Sequence, residues 1–359
     1  MYKLSLDERR LRHYEPELRE RLVAVIDRIN DLPPNDRNPR GWEAMRQIWP
    51  AHDDWIQNNL WIATKVRGQT IPLRYNLVQN KLAEECRRQQ ALSIPVRIIV
   101  LKARQMGVST WTQGQMFTHC AHNPSTFGLT VAHKKDGSKN LMRMSRRYLA
   151  NLLYPPPHQP PSAGAIVFNH DSHLAIETAR AADEMGRSQT IHHLHCSELA
   201  FWPQPEAGLN ALLQTMGEYP GCSCLIESTA NGKNYFHSLW EAAVNGDSEF
   251  VPIFFPWFAD PSYRKMIPDG DRREFEGSMS KDERELCEKY CLELEQIAWR
   301  RHTLRNKCGN SLPKFKQEYP ANPKEAFQFS SAPVLNQQII DEMMPRSNEG
   351  DRFDLTWEV

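Results

Sequence analysis

With 359 residues, the chain is long enough to bury a sizeable core, and its 44 basic and 44 acidic side chains leave no net charge at pH 7. No overall cationic field therefore announces a nucleic-acid partner, and any contact with a polyanion has to come from a local patch. No run approaches the eighteen apolar residues of a membrane span, and the charged start MYKLSLDERR does not read as a secretory signal.

Residues 5–65 read as helical, with apolar positions at helical spacing in LRERLVAVIDRIN. The stretch DLPPNDRNPRG is expected to break this arm, which resumes in the Trp-rich WEAMRQIWPAHDDWIQNNLWIA, a packing or partner surface. From about residue 71 the pattern changes. A helix is expected over NLVQNKLAEECRRQQALS, then the strand VRIIVL (96–101), a helix over 109–120, the strand FGLTVA (127–132) and the helix GSKNLMRMSRRYLANLL. After YPPPHQPPSAG come short strands AIVF and HLAIETA, then TIHHLHC, the helix PEAGLNALLQTM, the strand CSCLIES, the helix YFHSLWEAAV and the strand FVPIFF. Strands alternating with helices predict an α/β fold with a mainly parallel, doubly wound sheet. Residues 259–335 read as a smaller, charged helical lobe. The eight cysteines show neither a compact paired framework nor CxxC pairs at zinc-finger spacing, so free thiols in a reducing cytosol are expected and zinc is not.

The stretch VLKARQMGVSTW (100–111) carries the strongest chemical signal. An apolar strand running through a glycine turn into a helix aims backbone N–H groups and the helix dipole at one point, which suits an anion. Gly107 permits the tight turn, Ser109 brings a hydroxyl able to ligate Mg²⁺, and Thr110 follows it. The phosphate-loop pattern GxxxxGK[ST] places a lysine at position 108. Val108 stands there instead, while Lys102 and Arg104 lie upstream. Two other features point the same way. TIHHLHC ends in Ser197-Glu198, which puts a carboxylate at the C-terminal end of a strand, where open α/β sheets bind ligands and where related ATPases polarise the attacking water. The strand CSCLIE also ends in the small polar loop STANG (228–232), placed to sense a γ-phosphate.

Taken in order, KARQMGVST, HLHCSELAFWP, ESTANG and EYPANPKEAFQFSS resemble the ATPase portion of the large terminase subunit of tailed bacteriophages, and IPLRYNLVQNKL looks like its adenine-recognition motif. The resemblance covers residues 71–335. It implies an additional-strand P-loop (RecA/ASCE-like) sheet, with a helical arm over 1–65, an ATPase core over 66–258, a helical linker or lid over 259–335, and a tail over 336–359 leading toward an absent nuclease domain. It implies ATP and Mg²⁺ as ligands. Gln79 would face the adenine, while Lys102 or Arg104 (preferably Arg104, for its bidentate fork), Gln105, Gly107, Val108, Ser109 and Thr110 would hold the phosphates. Glu198 would be the catalytic carboxylate, Arg187 a finger inserted from a neighbouring subunit, and Ser228, Thr229 and Asn231 the coupling loop. The sequence departs from the family at Ser197, which replaces the usual magnesium-holding aspartate, so that coordination would rest on Ser109, Ser197 and water.

The same resemblance implies a homo-oligomeric ring, expected to be a pentamer, that works in the host cytoplasm on the portal protein of a procapsid. It would act with a small terminase subunit and without a membrane, and would drive double-stranded DNA inward through phosphate contacts that include the basic stretch HKKDGSKNLMRMSRR (133–147). Nuclease activity is not expected of this chain. Two rivals stay open: a helicase-like DNA-dependent ATPase, and a nucleotide-binding assembly protein that does not hydrolyse ATP, which Val108 and Ser197 make conceivable.

Overall fold

Strand β3 (Val96–Lys102) is buried at all seven positions, as its unbroken apolar run VRIIVL requires of a strand covered on both faces. A computed structural model describes residues 13–64, 68–179 and 189–328, and within them β3 lies inside a seven-stranded sheet. The other strands are β4 (Phe127–Ala132), β5 (Ala165–Phe168), β6 (Ser172–Thr178), β7 (His193–Ser197), β8 (Ser223–Ser228) and β9 (Val251–Phe255). Their spatial order is β5-β6-β4-β7-β8-β3-β9. Pairs β6–β4, β4–β7, β7–β8 and β8–β3 are parallel, and β5 turns back antiparallel on β6. One strand, β8, is thus interposed between β3, which leads into the Gly107 turn, and β7, which leads to Glu198. This is the additional-strand arrangement expected from the sequence.

The chain divides into two compact units. The first takes in residues up to 101, 105–228 and 239–255, and the second takes in 102–104, 229–238 and the residues from 256 onward.

In the first unit, helices α1 (Pro16–Asn30), α2 (Pro34–Ile48) and α3 (His52–Asn59) bring Leu22, Ile26, Trp42, Met45, Trp49 and Trp55 into the same apolar cluster as Phe117, Leu141, Tyr148 and Phe168. The tryptophans of the N-terminal arm are therefore core residues. Two local expectations are corrected. DLPPNDRNPRG does not break the arm throughout: the helix resumes at Pro34, because proline has no N–H to lose at the first helical position and its fixed φ suits a start. The end of the arm is not helical either. Trp61–Ala63 (β1) pairs antiparallel with Thr70–Pro72 (β2) in a separate ribbon, a short exchange that helical periodicity in WIQNNLWIA did not reveal.

Helix α4 (Leu77–Ala91) opens on a capping box between Asn76 and Gln79, and helices α5 (Val108–His122) and α6 (Lys135–Asn151) follow β3 and β4. The periodicity of α6 buries Leu141, Met142, Ser145, Tyr148 and Leu149 and leaves Lys134, Lys135, Lys139, Arg143 and Arg146 exposed on or beside it.

The second unit is helical where described beyond residue 271. It includes α9 (Arg272–Gly277), α10 (Lys281–Tyr290) and α11 (Leu294–Lys307), whereas α7 (Pro205–Leu213) belongs to the first unit and α8 (Tyr235–Asn245) is divided between the two. Trp299 stacks between Trp257 and Tyr263, with ring centroids at 5.2 and 4.2 Å, and Arg301 forks onto Glu283.

Candidate nucleotide site

Between β3 and α5 the backbone makes two left-handed excursions, at Gln105 (φ 56°) and Gly107 (φ 79°), and Gly107 is the cap from which α5 starts. Gln105 carries strain there that a glycine would not. The turn is held from outside by α4. The Asn76 side chain donates to the Met106 carbonyl at 3.2 Å, and the Gln79 amide donates to the Gly107 carbonyl at 3.0 Å. Gln79 is buried, and its carbonyl oxygen also accepts from the Asn76 backbone N–H. The residue assigned to the adenine by resemblance is thus a clamp on the loop.

Val108 is buried, so its side chain packs in the core, and its backbone N–H is what it can offer an anion at the start of α5. Thr110 points its hydroxyl toward Met144 of α6, and its carbonyl accepts from Tyr148 at 2.8 Å. Ser109 turns the other way: its hydroxyl donates to Oε1 of Glu227 at 2.7 Å.

Glu227 is the residue that the sequence motifs did not single out. It is the penultimate residue of β8 and fully buried, and Ser197 is its direct partner across the parallel β7–β8 ladder. Oε1 of Glu227 accepts from Ser109, from the Ser197 hydroxyl at 2.9 Å, and lies 3.3 Å from Nε2 of His195. The network continues inward. Nδ1 of His195 meets the Gln113 amide at 3.0 Å, Gln113 donates to Thr130 at 2.7 Å, and Ser145 donates back to Gln113 at 3.0 Å. Residues 193, 195 and 197 share one face of β7 by strand alternation, as do 225 and 227 on β8, so one polar seam runs behind α5. The signal for Glu227 was a lone acid in an otherwise apolar strand. That for Asn76 was an Asn-x-x-Gln spacing ahead of an apolar run.

Glu198 follows β7 in the left-handed region (φ 55°, ψ 49°), an uncommon conformation for a glutamate and one that concentrates at functional sites. Its carboxylate is half-buried and accepts from the Ser228 hydroxyl at 3.4 Å, and Ser228 in turn accepts from the Ala200 N–H at 3.2 Å. The structure therefore brings together Gln79, Gly107, Val108, Ser109, Ser197, Glu198 and Ser228 in the first unit. Gln105, at the turn itself, is exposed there.

Lys102, Arg104, Thr229 and Asn231 belong to the second unit. There Lys102 is buried, while Arg104 is exposed and its Nε lies 3.3 Å from the Glu318 carboxylate. The Arg104 backbone is pinned by its own N–H to the Glu318 carbonyl at 3.0 Å and by the Tyr263 hydroxyl at 2.6 Å. Arg187 lies outside the described residues. Among those described, no group of three or more His, Cys, Asp or Glu is placed to hold a metal ion by itself. Magnesium in a nucleotide site takes much of its shell from water and phosphate and needs only one or two hard oxygen donors from the protein. Ser109, Ser197 and Glu227 carry side-chain oxygens of that kind.

No family model matches the sequence, and no curated protein matches it. Solved structures do. The HK97 bacteriophage large terminase superposes with a TM-score of 0.52 at 15% identity, covering 80% of this chain and 56% of that one. The fold is that of a phage large terminase. The chain thus spans little more than half the length of the HK97 terminase. A mutant of the Thermus phage P74-26 large terminase ATPase domain superposes at a TM-score of 0.43 and 16% identity, over 69% of this chain and 94% of that one. The large terminase of a thermophilic bacteriophage in complex with ATP-gamma-S gives 0.39 and 12%, over 58% of this chain and 50% of that one. At 15% identity the likeness to the HK97 terminase establishes the fold alone, and the chemistry rests on the geometry above. Among the described residues no helix is long and apolar enough to cross a membrane.

Proposed function

We propose that this chain is an ATP-hydrolysing motor of viral genome packaging that drives double-stranded DNA into a procapsid. The observation that carries the reading is the contact between Ser228 and Glu198, 3.4 Å apart at the ends of neighbouring strands, beside a glycine turn whose following serine is already engaged by a buried carboxylate. Backbone N–H groups at the start of α5 receive the phosphates; on the terminase resemblance the proposed cation is Arg104, for its guanidinium fork, or Lys102. Gln79 and Asn76 keep the turn in register, and Gln79 borders the base. Ser109 and Ser197, partly through water, would hold magnesium, which would supply positive charge against the phosphates. Glu198, held off the strand by its left-handed backbone, orients and deprotonates the attacking water. Loss of the γ-phosphate frees Glu198 to change its hold on Ser228, and the loop through Thr229 and Asn231 carries that change onward.

Arg187 acts from a neighbouring subunit in a ring, for which five members are proposed on the terminase resemblance. Portal protein and a small terminase subunit are its proposed partners at the procapsid in the host cytoplasm. The test is hydrolysis and binding measured together. Glu198→Gln is expected to lower the ATP turnover rate about 100-fold or more, as loss of a positioned general base does, while ADP affinity holds. Unchanged turnover in that variant would reject the mechanism, and failure of DNA to stimulate the unsubstituted protein would reject the motor.

A further inference from the structure

We infer that Glu227 supplies, from strand β8, the acidic magnesium-side group that position 197 lacks on β7. This rests on the nucleotide-site reading above and adds to it the residue on which the metal depends. Three observations converge. Ser197 and Glu227 are direct partners across a parallel ladder, so a carboxylate moved from one to the other shifts by a single strand spacing of about 4.8 Å. A glutamate is one methylene longer than an aspartate, and from β8 its Oε1 already reaches the Ser109 hydroxyl, 2.7 Å away. Its carboxylate also takes the Ser197 hydroxyl, so the residue that replaced the aspartate is now a donor to the acid that succeeds it.

A role in packing alone explains little. Although Ser109, Ser197 and His195 all engage its carboxylate, a well-packed apolar residue at such a buried position of an apolar strand is often as stable or more so. Position 227 sits at the one point of β8 where an acid touches the loop serine, immediately before the coupling residue Ser228. With magnesium bound, Ser109 and Glu227 would be the residues on its side of the site, Glu227 supplying the negative charge and Ser197 keeping the carboxylate in place. His195, behind Oε1, orients the same oxygen.

The test uses Mn²⁺ as a spectroscopic probe, titrated into the full chain in the presence of ADP and read by electron paramagnetic resonance, with ADP affinity in EDTA measured alongside. Glu227→Gln keeps the side-chain length and an oxygen able to accept from Ser109 and Ser197, but removes the charge. It is expected to weaken Mn²⁺ binding about 10–100-fold, the usual cost of removing a partner that supports a metal site, while ADP affinity in EDTA stays as in the unsubstituted chain. Adding Ser197→Asp to Glu227→Gln moves the carboxylate back to β7 and is expected to restore Mn²⁺ affinity. Retention of Mn²⁺ affinity in Glu227→Gln, an equal loss of ADP affinity in EDTA, or no restoration in the double variant each overturns the assignment. If the unsubstituted chain binds no ADP at all, the nucleotide-site reading falls and takes this assignment with it. ADP binding with Mn²⁺ affinity indifferent to position 227 overturns this assignment alone.

Discussion

At Gly107 a single hydrogen atom in place of a methyl group decides whether the loop closes. Its φ of 79° is left-handed, and a Cβ there would sit 2.8 Å from the Gln79 amide nitrogen and 3.4 Å from that of Asn76. Gly107→Ala is therefore expected to cost about 1–2 kcal/mol in backbone strain alone and to displace the Gln79 clamp. Urea denaturation should show the loss of stability, and ADP titration a weaker site. Gln79→Ala separates the two effects: it removes the clamp without straining the backbone, so ADP affinity should fall while the urea midpoint moves less than in Gly107→Ala. Unchanged ADP affinity in Gln79→Ala would mean the loop is held by something other than α4. The glycine, Ser109 and Glu198 were legible in the sequence because their chemistry is local, set by a turn, a helix start and a strand end. Glu227 and Asn76 were not. Their roles depend on which strand lies beside β7 and which helix lies against the turn, and neither neighbour is encoded in the few residues around them.

Helices α3 and α5 and strand β7 meet through a line of histidines. His52 of α3, His119 of α5 and His193 of β7 stack in a column, with successive ring centroids 4.2 Å apart, and His122 packs edge-on between Trp42 and Trp55. Burial, then the neighbouring imidazoles, lowers His119 well below its ordinary value; burial first and other positive groups second bring His122 and His193 down to about 3. His52 is lowered by burial too, although Asp53 and its bond to Gln115 pull it back. These rings are neutral in the fold, whereas in the unfolded chain they take up protons as pH drops below about 6.5. Between those limits the unfolded state binds more protons, so stability rises with pH and is lost as pH falls from about 6.5 toward 3. Each such histidine adds up to about 1.4 kcal/mol per pH unit in that window. The urea midpoint is expected to be flat from pH 7 to 8 and to fall steeply below pH 6, and His193→Phe together with His119→Phe should blunt the fall. An unchanged slope in that double variant would place the acid sensitivity elsewhere. The sequence showed HHLHC as a buried strand, since apolar neighbours and strand spacing suffice for that. It did not show that HCAH on the α5 face and His52 in the arm would complete the column, because such stacking is settled by the packing of the arm onto the sheet.

For the whole molecule the charge balance sets the terms of any grip on DNA. A chain with 44 charges of each sign cannot hold a duplex by its overall field, so any DNA contact of the proposed motor has to be concentrated. The exposed basic side chains at the start and along the outer face of α6 are one such concentration. The opposite face of α6 is committed to the core through Leu141, Tyr148 and Leu149, which fixes the direction in which the cations point. The alternation of strands and helices made the sheet readable from the sequence, and the amphipathic period of α6 made its outer face readable too. What the outer face touches is not encoded in the period of α6. If it lies on the DNA path, DNA-stimulated hydrolysis depends on released counterions, and the logarithm of apparent DNA affinity falls linearly with the logarithm of salt concentration. Replacing Lys135, Lys139 and Arg143 by alanine should make that slope shallower by about one for each phosphate no longer neutralised. It should also weaken all DNA sequences alike, since a grip on phosphates carries no base information. A triple variant with an unaltered slope would move the DNA path off α6, and a variant that discriminated among sequences would point to base readout instead of a backbone grip.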